Sequence, residues 1–185
     1  MMRVATRVVL LLFLCLIPRT ATANLIVNGG FETGDFTGWT VTGTMQYFGV
    51  LPMAARSGVY GAWFGDIEGI TSISQTVATV PGVTYELSFW VANPIGNVNY
   101  AELWWDGNLI DSVQNSEPFG WDQVSFLVTA TTGSTEFKIG GNNPPGYWTL
   151  DDFSLVEAVP EPSSLGLGAL GVTFLAVLAI GRRRS

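Results

Sequence analysis

The chain has no histidine and a single cysteine, Cys15. Without imidazole, both the usual general base near neutral pH and the commonest transition-metal ligand are missing. Ser-His, Cys-His and zinc-histidine chemistry are thereby excluded. Cys15 lies in an apolar run close to the amino terminus, so the body of the chain has no disulfide and no thiolate metal site. Basic residues are equally scarce. Between residues 24 and 157 only Arg56 and Lys138 stand against fourteen acids, a formal charge of −12. Such a surface repels phosphate backbones, so nucleic acid is not an expected partner. Neutral ligands, or a hard cation such as calcium, suit it better. Sustained helical periodicity is missing from the same stretch.

Two apolar segments bracket that stretch. The first follows Arg3 and Arg7, runs over residues 8–17 and ends in Ala21, Thr22 and Ala23. This is the layout of a secretory signal peptide over residues 1–23, and ten apolar residues fall short of a bilayer core of roughly 30 Å. The second, residues 165–181, has Thr173 as its one polar residue and leads into Arg182, Arg183 and Arg184. It reads as a transmembrane helix, with residues 182–185 forming a basic cytoplasmic tail. Residues 24–157 are left as one domain of 134 residues, enough to bury roughly two-thirds of its unfolded surface. A linker, residues 158–164, joins domain to helix.

The domain is written in period-two alternation. Tyr85, Leu87, Phe89 and Val91 share one face of a strand, and Glu86, Ser88 and Trp90 the other. Val124, Phe126 and Val128 line up in the same way. Residues 72–77, 136–139 and 147–150 alternate too, which marks half-buried strands. Asp106-Gly107 signals a tight hairpin, because glycine accepts the positive φ of a type I′ turn. Pro81-Gly82, Asn93-Pro94 and Asn142-Asn143-Pro144-Pro145-Gly146 mark further loops. Eight or nine short strands are expected, arranged as an antiparallel sandwich.

A sugar site needs an exposed aromatic face for the C–H side of a pyranose, with polar groups beside it. In residues 100–105 the set Ala101, Leu103 and Trp105 reads as core, which turns Tyr100, Glu102 and Trp104 outward. Trp90 is on the outer face of its own strand. Should these two strands be neighbours in one sheet, Trp90, Tyr100, Glu102 and Trp104 would form one platform, edged by Tyr147 or Trp148. The competing reading buries these rings under loops or within the sandwich. Paired carboxylates hydrolyse glycosides only at defined separations. Glu86, Glu102 and Asp106 supply acids without setting such a separation, so no catalytic residue is expected.

Val159, Pro160, Glu161 and Pro162, then an apolar segment, then Arg182, Arg183 and Arg184, resemble the PEP-CTERM sorting signal of Gram-negative bacteria. That resemblance implies export through the inner membrane and handling by an exosortase-type membrane transpeptidase. It also implies association with extracellular polysaccharide and biofilm matrix. Residues 24–32 (NLIVNGGFE) followed by Gly38-Trp39 resemble the opening of galactose-binding-like jelly rolls, a fold shared with carbohydrate-binding modules. Residues 57–62 fit an early strand of that pattern, and residues 150–155 (LDDFSL) its closing strand. This second resemblance implies a structural calcium where the first and last strands meet, held by Glu32, Asp151 and Asp152. The same carboxylates would otherwise accept turn hydrogen bonds. The reading is an exported, surface-sorted, non-catalytic protein of the polysaccharide matrix that binds glycan. A purely structural or self-associating matrix protein is the alternative, with a glycan-processing enzyme behind it.

Overall fold

The computed structural model describes residues 23–43, 47–65, 69–96 and 98–158. The leader up to residue 22, the Val159–Pro162 tetrapeptide, the apolar segment and the arginine cluster lie outside the described residues. No helix among the described residues is long and apolar enough to cross a membrane.

Ten strands are described: β1 Thr40–Thr42, β2 Phe48–Leu51, β3 Gly61–Phe64, β4 Thr71–Ala78, β5 Thr84–Ile95, β6 Tyr100–Trp105, β7 Asn108–Gln114, β8 Phe119–Thr129, β9 Ser134–Asn142 and β10 Tyr147–Glu157. They form two antiparallel sheets of five, in the orders β1-β4-β9-β6-β7 and β2-β3-β10-β5-β8. β1 and β2, three and four residues long, are too short to show alternation. The strand expected over residues 57–62 starts only at Gly61, since the Val59 and Tyr60 N–H groups donate to the Glu32 carboxylate instead of a neighbouring strand.

The alternation maps onto the sandwich as read. Tyr85, Leu87 and Phe89 of β5, and Leu103 and Trp105 of β6, are buried in the common core. Phe153 of β10 sits at its centre. Its ring stacks on Phe89 at 4.8 Å and meets Trp39 at 5.0 Å, with Phe31 and Phe137 both at 6.0 Å. Each such ring contributes roughly 1.5–3 kcal/mol through burial, the main driving force in a domain with no disulfide. The amino-terminal segment closes on the last strand: the Leu25 N–H donates to the Leu155 carbonyl and the Phe153 N–H to the Gly29 carbonyl. Buried Gln75 of β4 fixes the same segment through both its amide atoms, each 2.9 Å from the Val27 backbone. The β6–β7 hairpin turns on Asp106 and Gly107 with φ of 51° and 74°, both positive as a type I′ turn requires.

The β5–β6 and β7–β8 connections each cross from one sheet to the other, and they are tied together. The Asn99 side chain donates to the Ser116 carbonyl at 2.8 Å and accepts from the Ser116 N–H at 3.0 Å. Asn93 donates to the carbonyls of Gly96 and Ser116. Consecutive strands β5 and β6 thus lie in opposite layers.

Candidate functional site

That crossover divides the expected platform. Trp90 projects from the outer face of the β2-β3-β10-β5-β8 sheet, whereas Tyr100, Glu102 and Trp104 project from the outer face of the other. The four residues are therefore on opposite sides of the molecule and cannot line one surface. Trp148 is a core residue, 2% exposed, with its indole N–H donating to the Asn142 carbonyl. Tyr147 opens β10 on the outer face.

Trp90 has other company. Of seven tryptophans, Trp39, Trp105 and Trp148 belong to the core, while Trp63, Trp90, Trp104 and Trp121 do not. Three of these four share the outer face of one sheet: Trp63 on β3, Trp90 on β5 and Trp121 on β8. The sequence carried a signal for the two that were missed. Ala62 and Phe64 alternate with Trp63, and Trp121 is out of phase with Val124, Phe126 and Val128.

Register supplies the arrangement. Thr149 of β10 pairs with Trp63 on one side and Ala92 on the other, so small side chains floor the sheet beside the indole. One step along, Asp151 pairs with Trp90, and Trp90 with Gln123. Trp121 stands beside Ala92, in the irregular step between the Val91–Asp122 and Asn93–Phe119 pairs. β3 and β8 are three strand positions apart, about 14 Å, and that is the breadth of the aromatic face. Tyr147 meets Trp63 edge-on at 6.4 Å. Together they wall a slot of about 180 Å³ whose other lining residues are Leu51, Met53 and Ala54. The Trp63 indole N–H is buried without a partner, a deficit on the order of 1–3 kcal/mol. The Arg56 guanidinium lies 3.6 Å above the Trp90 ring and is anchored by a 2.8 Å ion pair to Asp152. Trp90 is thus a base for Arg56, which sets a guanidinium on the aromatic face.

The acidic corner serves the backbone. Glu32, Asp151 and Asp152 do gather around Gly30, as the meeting of first and last strands leads one to expect. Their oxygens, however, face separate donors. Glu32 Oε1 accepts from the Val59 N–H at 2.9 Å and the Tyr60 N–H at 3.0 Å. Asp151, wholly buried, accepts from the Arg56, Ser57 and Asp152 N–H groups. Burial pushes its carboxyl above the ordinary range, the neighbouring Asp152 charge adds to this, and the three N–H donors oppose it. Asp152 holds Arg56 and the Ser57 hydroxyl. Calcium needs six to eight converging oxygens at 2.3–2.6 Å. Among the described residues no group of three or more acidic, histidine or cysteine side chains converges in that way. In this arrangement the three carboxylates are held by N–H, hydroxyl and guanidinium donors, and a calcium ion would have to draw them away from these partners.

A cleft of about 200 Å³ opens between the sheets at the β7/β8 edge, walled by Phe89, Val113, Val124 and Phe126 among others. Its lining is mainly apolar, with Glu102, Asp111 and Ser112 as the polar exceptions.

Residues 158–185 match the model of the PEP-CTERM protein-sorting motif. The chain carries a PEP-CTERM sorting motif. This implies export and membrane-associated sorting in Gram-negative bacteria. Among solved structures, TmCBM61 in complex with β-1,4-galactotriose is similar at 26% identity and a TM-score of 0.59, over 74% of this chain and 100% of that one. The CBM22-1 xylan-binding domain of Paenibacillus barcinonensis Xyn10C aligns at 19% identity and a TM-score of 0.51, over 76% of this chain and 100% of that domain. The second likeness speaks for the fold alone. The structural neighbours are thus carbohydrate-binding modules with a jelly-roll fold. A multifunctional-autoprocessing repeats-in-toxin of Vibrio vulnificus is 31% identical over 143 residues, 72% of this chain. The chain spans only 3% of that protein.

Proposed function

We propose that this protein binds neutral glycan through the aromatic face of the β2-β3-β10-β5-β8 sheet, as a surface-sorted, non-catalytic component of an extracellular polysaccharide matrix. The observation that carries the reading is the gathering of Trp63, Trp90, Trp121 and Tyr147 on one face, around the small residues Thr149 and Ala92. Sugar rings stack their C–H faces on Trp63 and Trp121, while Arg56 and Gln123 meet the hydroxyls. The ligand class is a neutral chain of β-1,4-linked pyranoses; the likeness to a galactotriose-binding module supports this. A domain of charge −12 disfavours polyuronates and other polyanions.

On this face the acids are already engaged. Glu86 accepts from the Ser125 hydroxyl at 2.8 Å, and Asp151 is enclosed by backbone donors. That favours binding over hydrolysis. An exosortase-type transpeptidase acting at Val159–Pro162 is the proposed processing partner.

The test is calorimetric titration of the full chain, held in a sugar-free detergent, with β-1,4-galactotriose and with xylohexaose. Trp63→Ala and Trp121→Ala should each weaken binding at least tenfold, about 1.4 kcal/mol, with far-UV circular dichroism unchanged. Failure to bind these or any glycan on a broad array would refute the reading and leave a structural matrix protein.

A further inference from the structure

We infer that the domain is bivalent: the outer face of the β1-β4-β9-β6-β7 sheet holds a second neutral-sugar site centred on Trp104. This inference rests on the glycan-binding reading of the first face.

Trp104 is the remaining tryptophan outside the core. Its strand turns Leu103 and Trp105 inward, so Tyr100, Glu102 and Trp104 stand in a line on the outer face. Lys138 of β9 pairs directly with Trp104, and its ammonium lies 4.8 Å from the ring centroid. Glu102 pairs with Gly140, and Gly140 with Ser72. The surface beside the indole is therefore low, floored by a glycine and a serine. Gly140 admits no larger residue, because a Cβ there would come within 2.8 Å of the Ser72 Cβ and 3.0 Å of the Ile70 side chain, so the exposed Ile70 borders the hollow on its far side. The Tyr100 hydroxyl donates to Glu102 Oε2 at 3.0 Å and holds that carboxylate upright at the edge of the hollow. The Trp104 indole N–H is buried without a partner, as is that of Trp63 on the first face.

These groups select a class of ligand. An aromatic wall beside a shallow floor takes the flat C–H side of a pyranose. Lys138 donates and Glu102 accepts on either flank, so hydroxyls that do both are satisfied. The opposed charges cancel locally, which favours a neutral sugar over a uronate or an amino sugar. Lys138 meets the ring through a cation–π contact at a half-buried surface position, a weak contact that a stacking sugar displaces.

The two sheets pack roughly 10 Å apart with their outer faces pointing in opposite directions. One molecule would then hold two polysaccharide chains, and a surface array of molecules would cross-link them through multivalency.

Titration of the full chain with β-1,4-galactotriose, the sugar proposed for the first face, tests this. The expected stoichiometry is two. Trp104→Ala should reduce it to one while preserving the affinity of the stronger site, and Trp63→Ala should leave only the Trp104 site. Lys138→Ala, which removes a half-buried side chain from a surface position, should weaken the second site at least threefold while leaving the first site and the near-ultraviolet circular dichroism unchanged. With β-1,4-galactan, the wild type should raise solution viscosity through cross-links, and each tryptophan variant should bind without doing so. A wild-type stoichiometry of one, unaltered by Trp104→Ala, overturns bivalency and leaves the first site intact. Absence of all binding overturns both.

Discussion

Replacing Glu32 with alanine separates a backbone clamp from a calcium cage. In the clamp, Glu32 Oε1 takes the Val59 and Tyr60 N–H groups at 2.9 and 3.0 Å, and Oε2 also approaches the Val59 N–H at 3.1 Å. Hydrogen bonds to an ionised acceptor contribute about 1.5–3 kcal/mol each. This corner is exposed, so water reaches the freed N–H groups and the combined loss is about 2 kcal/mol. For a domain of 134 residues, each kcal/mol moves Tm by about 3–5 °C. Glu32→Ala should therefore lower Tm by about 6–10 °C, and Glu32→Gln, which keeps a neutral acceptor, by about half as much. Gly58 gives an independent handle. Its φ is +64°, and a Cβ there would collide with Glu32 Oε1. Gly58→Ala should destabilise the protein to a similar extent, and the double variant should cost clearly less than the sum, because both changes break one interaction. Thermal melts followed by near-ultraviolet circular dichroism, with calcium and with chelator, make the measurement. The clamp requires equal losses in both. A Glu32→Ala protein that matches wild type in chelator, but has lost a calcium-dependent rise in Tm, would refute it.

Three further expectations concern the core, the buried carboxyl and one exposed turn. Phe153→Ala removes the ring shared by Phe31, Trp39, Phe89 and Phe137; it should cost about 3–5 kcal/mol, measured by urea unfolding, and a loss under 1 kcal/mol would show a core looser than this. Asp151 has its carboxyl raised above 3.8 by burial, so the folded state holds that proton more tightly than the unfolded one. Its stabilising contribution is full below the ordinary carboxylate value and fades as pH climbs through the raised one; wild-type Tm should fall relative to Asp151→Asn over that rise, and a parallel pair of pH profiles would contradict it. Gly107→Ala forces a side chain to φ of 74° in the β6–β7 turn with open space around it; a loss of about 1 kcal/mol in urea unfolding is expected, and no loss would mean that the turn can change type freely.

Alternation along a strand reports which side chains face the core, and here it did so residue by residue. Leu103 and Trp105 are buried and Trp104 is not; Leu87 and Phe89 are buried and Trp90 is only half-buried. Alternation is blind to which sheet a strand joins. β5 and β6 are neighbours in sequence, and a short connection would normally make them neighbours in space. The connection instead crosses layers, held by Asn93 and Asn99 hydrogen bonds to a second loop more than fifteen residues away. No local pattern encodes such a contact, and it moved Trp90 from the expected platform to a different one. The acidic corner was illegible for a similar reason. The sequence brings Glu32, Asp151 and Asp152 together but does not tell whether their oxygens point at one another or at N–H groups. The turn at residues 56–60 decides that, by presenting Arg56, Ser57, Val59 and Tyr60 as donors.

The direction of β10 links the binding face to the sorting motif. Tyr147, Thr149 and Asp151 occupy its first half, beside Trp63 and Trp90, while Glu157 ends it against Tyr85. From Tyr147 to Glu157 the strand rises about 33 Å. The Ala158 N–H, at the threshold of the matched motif, bonds the Thr84 carbonyl, and the incoming chain at Leu25 bonds Leu155. Both entry and exit are thus at the end of the sandwich remote from the aromatic cluster. A tether through the sorting tail would hold that end towards the cell and keep Trp63, Trp121 and Tyr147 on the far side, with the outer faces of both sheets upright and unobstructed. Had the aromatic residues clustered near Glu86 and Val156 instead, a tethered domain would press its sugar site against its own membrane. Under the proposed function, the polarity of one strand is therefore what would make tethering through the sorting tail and glycan capture compatible in a single small domain.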